Sequence, residues 1–210
     1  MKLLPRPPAP ARGRSRPPRR RPTIRALLAV AALSALSLAG APSAAHAAAS
    51  APFGGTAAAV PGTVQAANYD TGGQGVAYNV TSVNGSADSY RSDGVDLEDT
   101  ADTVDTTLAG GAYDMGWITP GQWFNYTVNA STAGTYSVAF RVSSPYGITD
   151  ALHIANSAGT NLSGSVAVPN TGGYETWTTV TASVTLPAGQ QTLTVDQDSN
   201  GWNFHYLTFT

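Results

Sequence analysis

Flat aromatic rings beside Gly- and Asn-rich turns are the first chemistry this sequence offers. Trp117 and Trp123 flank Thr119-Pro120-Gly121, and Tyr174 follows Gly172-Gly173. Trp202 follows Ser199-Asn200-Gly201 and precedes Asn203. A flat ring can bury the apolar C–H face of a sugar, worth about 1–2 kcal/mol by area. An amide such as Asn203 supplies both a donor and an acceptor for neighbouring hydroxyls. Trp and Tyr also build sandwich cores, so each of these four rings is open to both readings. Tyr174, set between two glycines and Glu175, is the hardest to bury.

The acids and histidines point less clearly. Glu98 and Glu175 are the only glutamates. A glycosidase needs two carboxyls facing one bond, about 5 Å apart for retention and 6.5–9.5 Å for inversion. Nothing in the flanks of Glu98 and Glu175 sets them as a facing pair on one strand, though Asp residues could also serve. Asp93, Asp96, Glu98, Asp99, Asp102 and Asp105 form an acidic stretch. It lacks the Gly-centred spacing of a calcium loop, so a solvated acidic loop is expected there. His153, inside Ala151-Leu152-His153-Ile154, reads as structural. No nucleophile elbow and no His-Glu-x-x-His is present. There is no cysteine, which excludes thiol chemistry and Cys-based metal sites.

Composition divides the chain. Residues 1–47 carry Lys2 and Arg6 to Arg25, then an apolar run from Ala26 to Ala41, then Ala45-His46-Ala47. Basic, apolar, then small-x-small is a secretory signal, and cleavage after Ala47 is expected. Arg20-Arg21 also fits a twin-arginine exporter, but a general signal fits the Pro-rich surroundings better. The apolar run is short for a membrane span. Past residue 47 only Arg91 and Arg141 are basic, against all thirteen acidic residues, a net charge of −11. Nucleic acid and anionic membranes need Lys and Arg to offset phosphate, so both are excluded as partners. A neutral partner fits best.

Those residues must be positioned by strands. Residues 48–59 read as a linker. From Val60 onward, short Val/Thr/Tyr/Trp/Phe runs alternate with Gly/Asn/Asp/Ser/Pro clusters, the pattern of an all-β sandwich or barrel. The 135–142 run puts Tyr136, Val138, Phe140 and Val142 on one face, and the 178–186 run turns Val180, Ala182, Val184 and Leu186 inward. No stretch keeps helical periodicity. One domain over 60–210 is expected, held by its core alone.

The order of motifs resembles family 6 carbohydrate-binding modules. Val60-Pro61-Gly62-Thr63-Val64-Gln65-Ala66 with Asn68-Tyr69-Asp70 is similar to the family's opening strand. Gly72 to Tyr78 and Tyr90 to Asp96 are similar to its next stretches. Tyr113-Asp114-Met115-Gly116-Trp117 with Gly121-Gln122-Trp123, then Pro169 to Thr179, and Gly201-Trp202-Asn203-Phe204 complete the set. The resemblance implies a jelly-roll β-sandwich of two antiparallel sheets that binds sugar without catalysis. It puts the two stacking aromatics on Trp117 and Tyr174, the hydroxyl-binding amide on Asn203, and a helper on Gln74. It offers a second site around Trp123, although core packing is the first expectation for Trp123 and Trp177. It puts a structural calcium on positions held here by Gln65, Ala67 and His205, a set that departs from the family. The expected molecule is a secreted extracellular monomer binding a neutral polysaccharide, β-glucan before xylan, with no required cofactor. A small jelly-roll glycanase using Glu98 and Glu175, and an adhesive or structural secreted protein, are the alternatives.

Overall fold

Period-two alternation drives one side of each strand inward, and the residues so selected meet in one core. The computed structural model describes residues 49–81 and 90–210; the expected export signal lies outside the described residues. The strands are β1 (Ala58–Val60), β2 (Gly62–Gln65), β3 (Tyr78–Asn79), β4 (Leu97–Asp99), β5 (Tyr113–Met115) and β6 (Gln122–Ala130). There follow β7 (Gly134–Ser144), β8 (Ile148–Asn156), β9 (Val166–Val168), β10 (Gly173–Leu186), β11 (Gly189–Gln197) and β12 (Asn203–Phe209). Two three-residue 3-10 turns, Phe53–Gly55 and Ala66–Asn68, are the only helical pieces among the described residues.

One sheet runs β1-β6-β11-β8-β9 with β3 also on β6. The other runs β10-β7-β12-β5-β4 with β2 also on β12. Every pairing is antiparallel except β1 with β6. This is the two-sheet β-sandwich expected from the sequence. Tyr136, Val138, Phe140 and Val142 are buried from β7, as their alternation predicts. On β10, Val184 and Leu186 are buried, while Val180 and Ala182 are only partly covered. Phe124, Tyr126, Leu152, Ile154, Phe204 and Phe209 fill the space between the sheets. Each contributes roughly 1.5–3 kcal/mol on burial.

Two expectations are corrected. The 48–59 stretch is not a free linker from Ala51 on. Ala51 exchanges backbone hydrogen bonds with Thr71, Phe53 packs on Tyr90 at 5.5 Å, and Ala58–Val60 is a strand of the sheet. Ala and Gly composition reads as linker, but a short parallel pairing needs little more than backbone. Nor is the acidic stretch a solvated loop. Asp93 accepts from Tyr69 and Arg91. The Asp102 side chain is almost fully enclosed and takes two hydrogen bonds from Arg141, at 2.7 and 2.8 Å. His205 Nδ1 lies 2.9 Å from the same carboxylate, and His205 Nε2 lies 2.9 Å from the Gly111 carbonyl. Arg91 serves a second cluster, donating to the Ala67, Tyr69 and Asp70 carbonyls beneath the Tyr69 ring.

Burial alone would raise the Asp102 pKa; hydrogen bonds from Arg141 and His205, then the Arg141 charge and the Val104 amide, outweigh it and hold it at about 2. A depressed carboxyl stabilises the fold above its unfolded pKa and loses that contribution as pH falls toward the folded value. Urea melts should therefore weaken between pH 4 and about pH 2, and Asp102→Asn should flatten that limb. Arg141→Ala should cost about 3 kcal/mol at pH 7, because it strands a buried carboxylate.

Candidate functional site

At one end of the sandwich a cleft of about 780 Å³ opens between loops of both sheets. Trp117 and Tyr174 line it together and stand 49% and 43% exposed, and Tyr146, which no sequence pattern singled out, lines it beside them at 56%. Trp117 and Tyr174 are each held outward by an irregular backbone. Trp117 has φ +47°, a left-handed conformation that is costly for a bulky side chain. It is clamped between Gly116, whose N–H bonds the Asp96 carbonyl, and buried Ile118.

Tyr174 sits in a bulge of β10. Gly173 pairs with Ser144 and Trp177 with Ser143, so residues 174–176 have no partners on β7 and loop out. The Thr171 hydroxyl pins the base of this bulge by donating to the carbonyls of Ser144 and Gly173 and accepting from the Ser144 amide. The Ser143 hydroxyl donates to the Tyr174 carbonyl. Tyr146 meets Tyr174 edge to face, centroids 6.3 Å apart.

Asn203, at the start of β12, lines the floor, and its Nδ2 donates to Glu98 Oε1 at 3.0 Å. Trp202 is buried beside it, with Nε1 donating to the Ser199 carbonyl. Of the four rings, then, two are exposed in the cleft, one is its buried support, and Trp123 lies elsewhere.

Glu98 and Glu175 line this cleft, and the enclosed carboxyl of Asp114 lies close behind them. Glu98 on β4 stands directly opposite Asp114 on β5, and Glu175 comes from the β10 bulge. Their oxygens lie within 4.8 Å of one another. Glu98 and Glu175 are thus brought together from two different strands, and Asp114 is an addition that no local pattern indicated. Glu175 Oε2 accepts from the Ala101 amide at 2.8 Å and from Trp177 Nε1 at 3.3 Å. Asp114 is completely enclosed, and neither of its oxygens has a well-formed hydrogen bond. Burial first, then the charges of Glu175 and Glu98, push its pKa up to about 9; nearby Thr100 and Asn203 offset this only in part. Burial and Glu175 also raise Glu98, against the hydrogen bond from Asn203.

Other expected residues fall elsewhere. Gln74 does not line this cleft; it donates to Asn79 Oδ1 and the Val80 carbonyl and accepts from the Val80 amide, closing its own loop. Trp123 and Trp177 are not core residues. Trp177 is half-buried against His205, 5.5 Å away. Half-buried Trp123 lines a groove of about 410 Å³ on the β6/β11 face with Asn125, Asn156, Thr194 and Asp196. His153 is tied there to Asp198 at 2.7 Å and Asp196 at 3.4 Å. Of the calcium positions, Gln65 keeps a buried amide oxygen that suits a hard cation, but Ala67 has no ligand atom and His205 is held by Asp102 and Gly111.

Comparison with known proteins bears on what such a cleft holds. A model of the carbohydrate-binding module family 6 matches residues 86–210. Over 126 residues, 59% of this chain, the sequence is 30% identical to the clotting factor G alpha subunit of Tachypleus tridentatus; the chain spans only 18% of that protein. A β-1,3-glucan-binding family 6 module from Bacillus halodurans is 26% identical with a TM-score of 0.52, covering 73% of this chain and 98% of that one. A module from Cellvibrio mixtus lichenase 5A, in complex with cellotriose, is 27% identical with a TM-score of 0.50, covering 72% and 97%.

A carboxyl whose folded pKa is raised destabilises the fold as pH climbs, because the unfolded chain releases the proton first. In chelator-containing buffer, Asp114→Asn should raise the melting temperature at pH 8, and the gain should shrink toward pH 5. Scanning calorimetry at the two pH values reads this directly.

Proposed function

The chain belongs to carbohydrate-binding module family 6, and from that premise we propose that it grips a neutral polysaccharide, β-glucan before xylan, in the cleft between Trp117 and Tyr174. One observation carries the reading. Three exposed aromatics, Trp117, Tyr146 and Tyr174, share one cleft whose floor is amide and carboxyl. The rings cover the apolar faces of a pyranose, while Asn203 and Glu98 exchange hydrogen bonds with its hydroxyls. The family is one of non-catalytic binding modules, and no covalent step is needed.

A neutral ligand follows from charge. Neither described arginine lines the cleft, and its floor is acidic. An anionic glycan would meet like charge in a partly enclosed site. The preference for β-glucan is supported by the β-1,3-glucan that the Bacillus halodurans module binds and the cellotriose bound to the Cellvibrio mixtus module. The Trp123 groove is a candidate second site, with Asn125 and Asn156 as amide partners. Export and an extracellular, monomeric working state complete the reading. A single cleft of this kind binds at roughly micromolar to millimolar levels, about −4 to −8 kcal/mol.

The convergence of Glu98 and Glu175 favours one other reading. Candidate ligand oxygens of the two lie within 4.8 Å of each other, and retaining glycosidases also use a close carboxyl pair, roughly 5–5.5 Å apart. Release of reducing ends from soluble β-glucan, lost in Glu98→Gln, would establish hydrolysis in place of simple binding.

Affinity electrophoresis in gels loaded with laminarin, barley β-glucan or xylan tests the main reading. Retardation is expected first with β-glucan. Trp117→Ala and Tyr174→Ala should each weaken it by roughly 5–30-fold, for about 1–2 kcal/mol of lost stacking, with unchanged near-UV circular dichroism. Normal retardation of both variants would remove this cleft as the site. Loss confined to Trp123→Ala would move it to the groove.

A further inference from the structure

We propose that the floor of the cleft is a binding site for one calcium-sized divalent cation, held by Glu98, Asp114 and Glu175. The geometry comes first. Glu98 and Asp114 are directly opposed on neighbouring strands, an arrangement of like charges that ordinarily destabilises a sheet. Glu175 is brought to them by a backbone bulge, which is a local irregularity and not a continuation of regular pairing. Candidate ligand oxygens of the three lie within 4.8 Å of one another. Three oxygens within that separation lie no more than about 2.8 Å from their common centre, close to a Ca–O distance of about 2.3–2.6 Å, so one ion among them needs only a small adjustment to reach all three.

The second observation is independent of the clustering. Asp114 is 0% exposed, and both its oxygens lack a well-formed hydrogen bond. Thr100 and Asn203 offer it only weak side-chain hydrogen bonds, and a buried carboxyl so poorly satisfied calls for a ligand or a neutralising charge. No protein cation supplies one. Among the described residues the only arginines are Arg91, engaged by Asp93 and three carbonyls, and Arg141, engaged by Asp102. An all-oxygen set of three carboxyls suits a hard cation, and the expanded shell of calcium leaves places for outside oxygens.

The site has a consequence for the ligand, which rests on the carbohydrate reading above. The cation sits at the floor of a cleft whose rim is Trp117 and Tyr174. Neutral hydroxyls of a sugar stacked there complete the coordination shell in place of water. Calcium then strengthens sugar binding, and sugar strengthens calcium binding by the same factor.

The test begins with the ion alone. The purified protein, stripped with EDTA and exchanged into chelator-free buffer, is titrated with CaCl₂ by calorimetry and with TbCl₃ by luminescence sensitised through nearby tryptophan. One saturable site per chain is expected. Asp114→Asn and Glu175→Gln should each weaken it by about 10–100-fold. Glu98→Gln is the third variant, should either of the others fail to fold. No saturable binding, or binding unchanged in the folded carboxyl variants, overturns the proposal and leaves Asp114 as a buried proton carrier. Retardation in β-glucan gels with CaCl₂ and with EDTA separates the two readings. Sugar binding without ion binding sinks only the cation site; ion binding without sugar binding sinks only the carbohydrate reading.

Discussion

Asp102 is the point on which the two halves of the β10-β7-β12-β5-β4 sheet are tied together. It belongs to the segment between β4 and β5, yet its partners, Arg141 and His205, come from β7 and β12. His205 in turn reaches the Gly111 carbonyl, just before β5. With no cysteine to staple the connection, one enclosed carboxylate fixes a long loop against two central strands. The arrangement consumes one of only two described arginines. The other, Arg91, does comparable work by gathering three carbonyls under the Tyr69 ring. The fold therefore uses its cations inside, and the cleft is left without any.

That scarcity shapes the cleft. Its rim depends on backbone irregularity, a left-handed Trp117 and a bulged Tyr174, each braced by neighbours that are regular and buried. Strain of this kind persists only where surrounding packing over-determines it. Ile118 behind Trp117, and the Thr171 and Ser143 hydroxyls behind Tyr174, provide that packing. Two rings that could have been covered are thus kept in solvent, which is a cost unless something stacks on them.

Period-two alternation made the sandwich legible before any coordinates, because Tyr136 to Val142 can face only one way without burying threonine and serine. Trp117, Tyr174 and Asn203 were reachable because turn residues flank each of them and the motif order resembles one family. What stayed hidden depends on pairing between distant strands. Glu98 and Asp114 are opposed only because β4 and β5 align in one register, and Glu175 joins them only through a bulge that no local pattern announces. Gln74 was misplaced because a Gly-rich loop can close on itself, and its amide is saturated by Asn79 and Val80. The acidic stretch misled for the opposite reason. Consecutive acids look solvated until a distant arginine and histidine are folded over one of them.

Rim and floor are physically coupled. A ring sliding between Trp117 and Tyr174 displaces water from above three carboxyls, and removing water raises the cost of every charge that remains. Entry is favourable only if the floor is neutralised as the rim is covered. A proton on Asp114 lowers the charge, a cation among the three carboxyls lowers it further, and sugar hydroxyls donate to what is left. An anionic ligand does none of these, and an apolar one leaves the carboxyls unsolvated. On the proposed reading, a hydroxyl-rich neutral chain satisfies both levels of the cleft at once, and the acidity of the floor, which looks like a hindrance to binding, favours it over an anionic one.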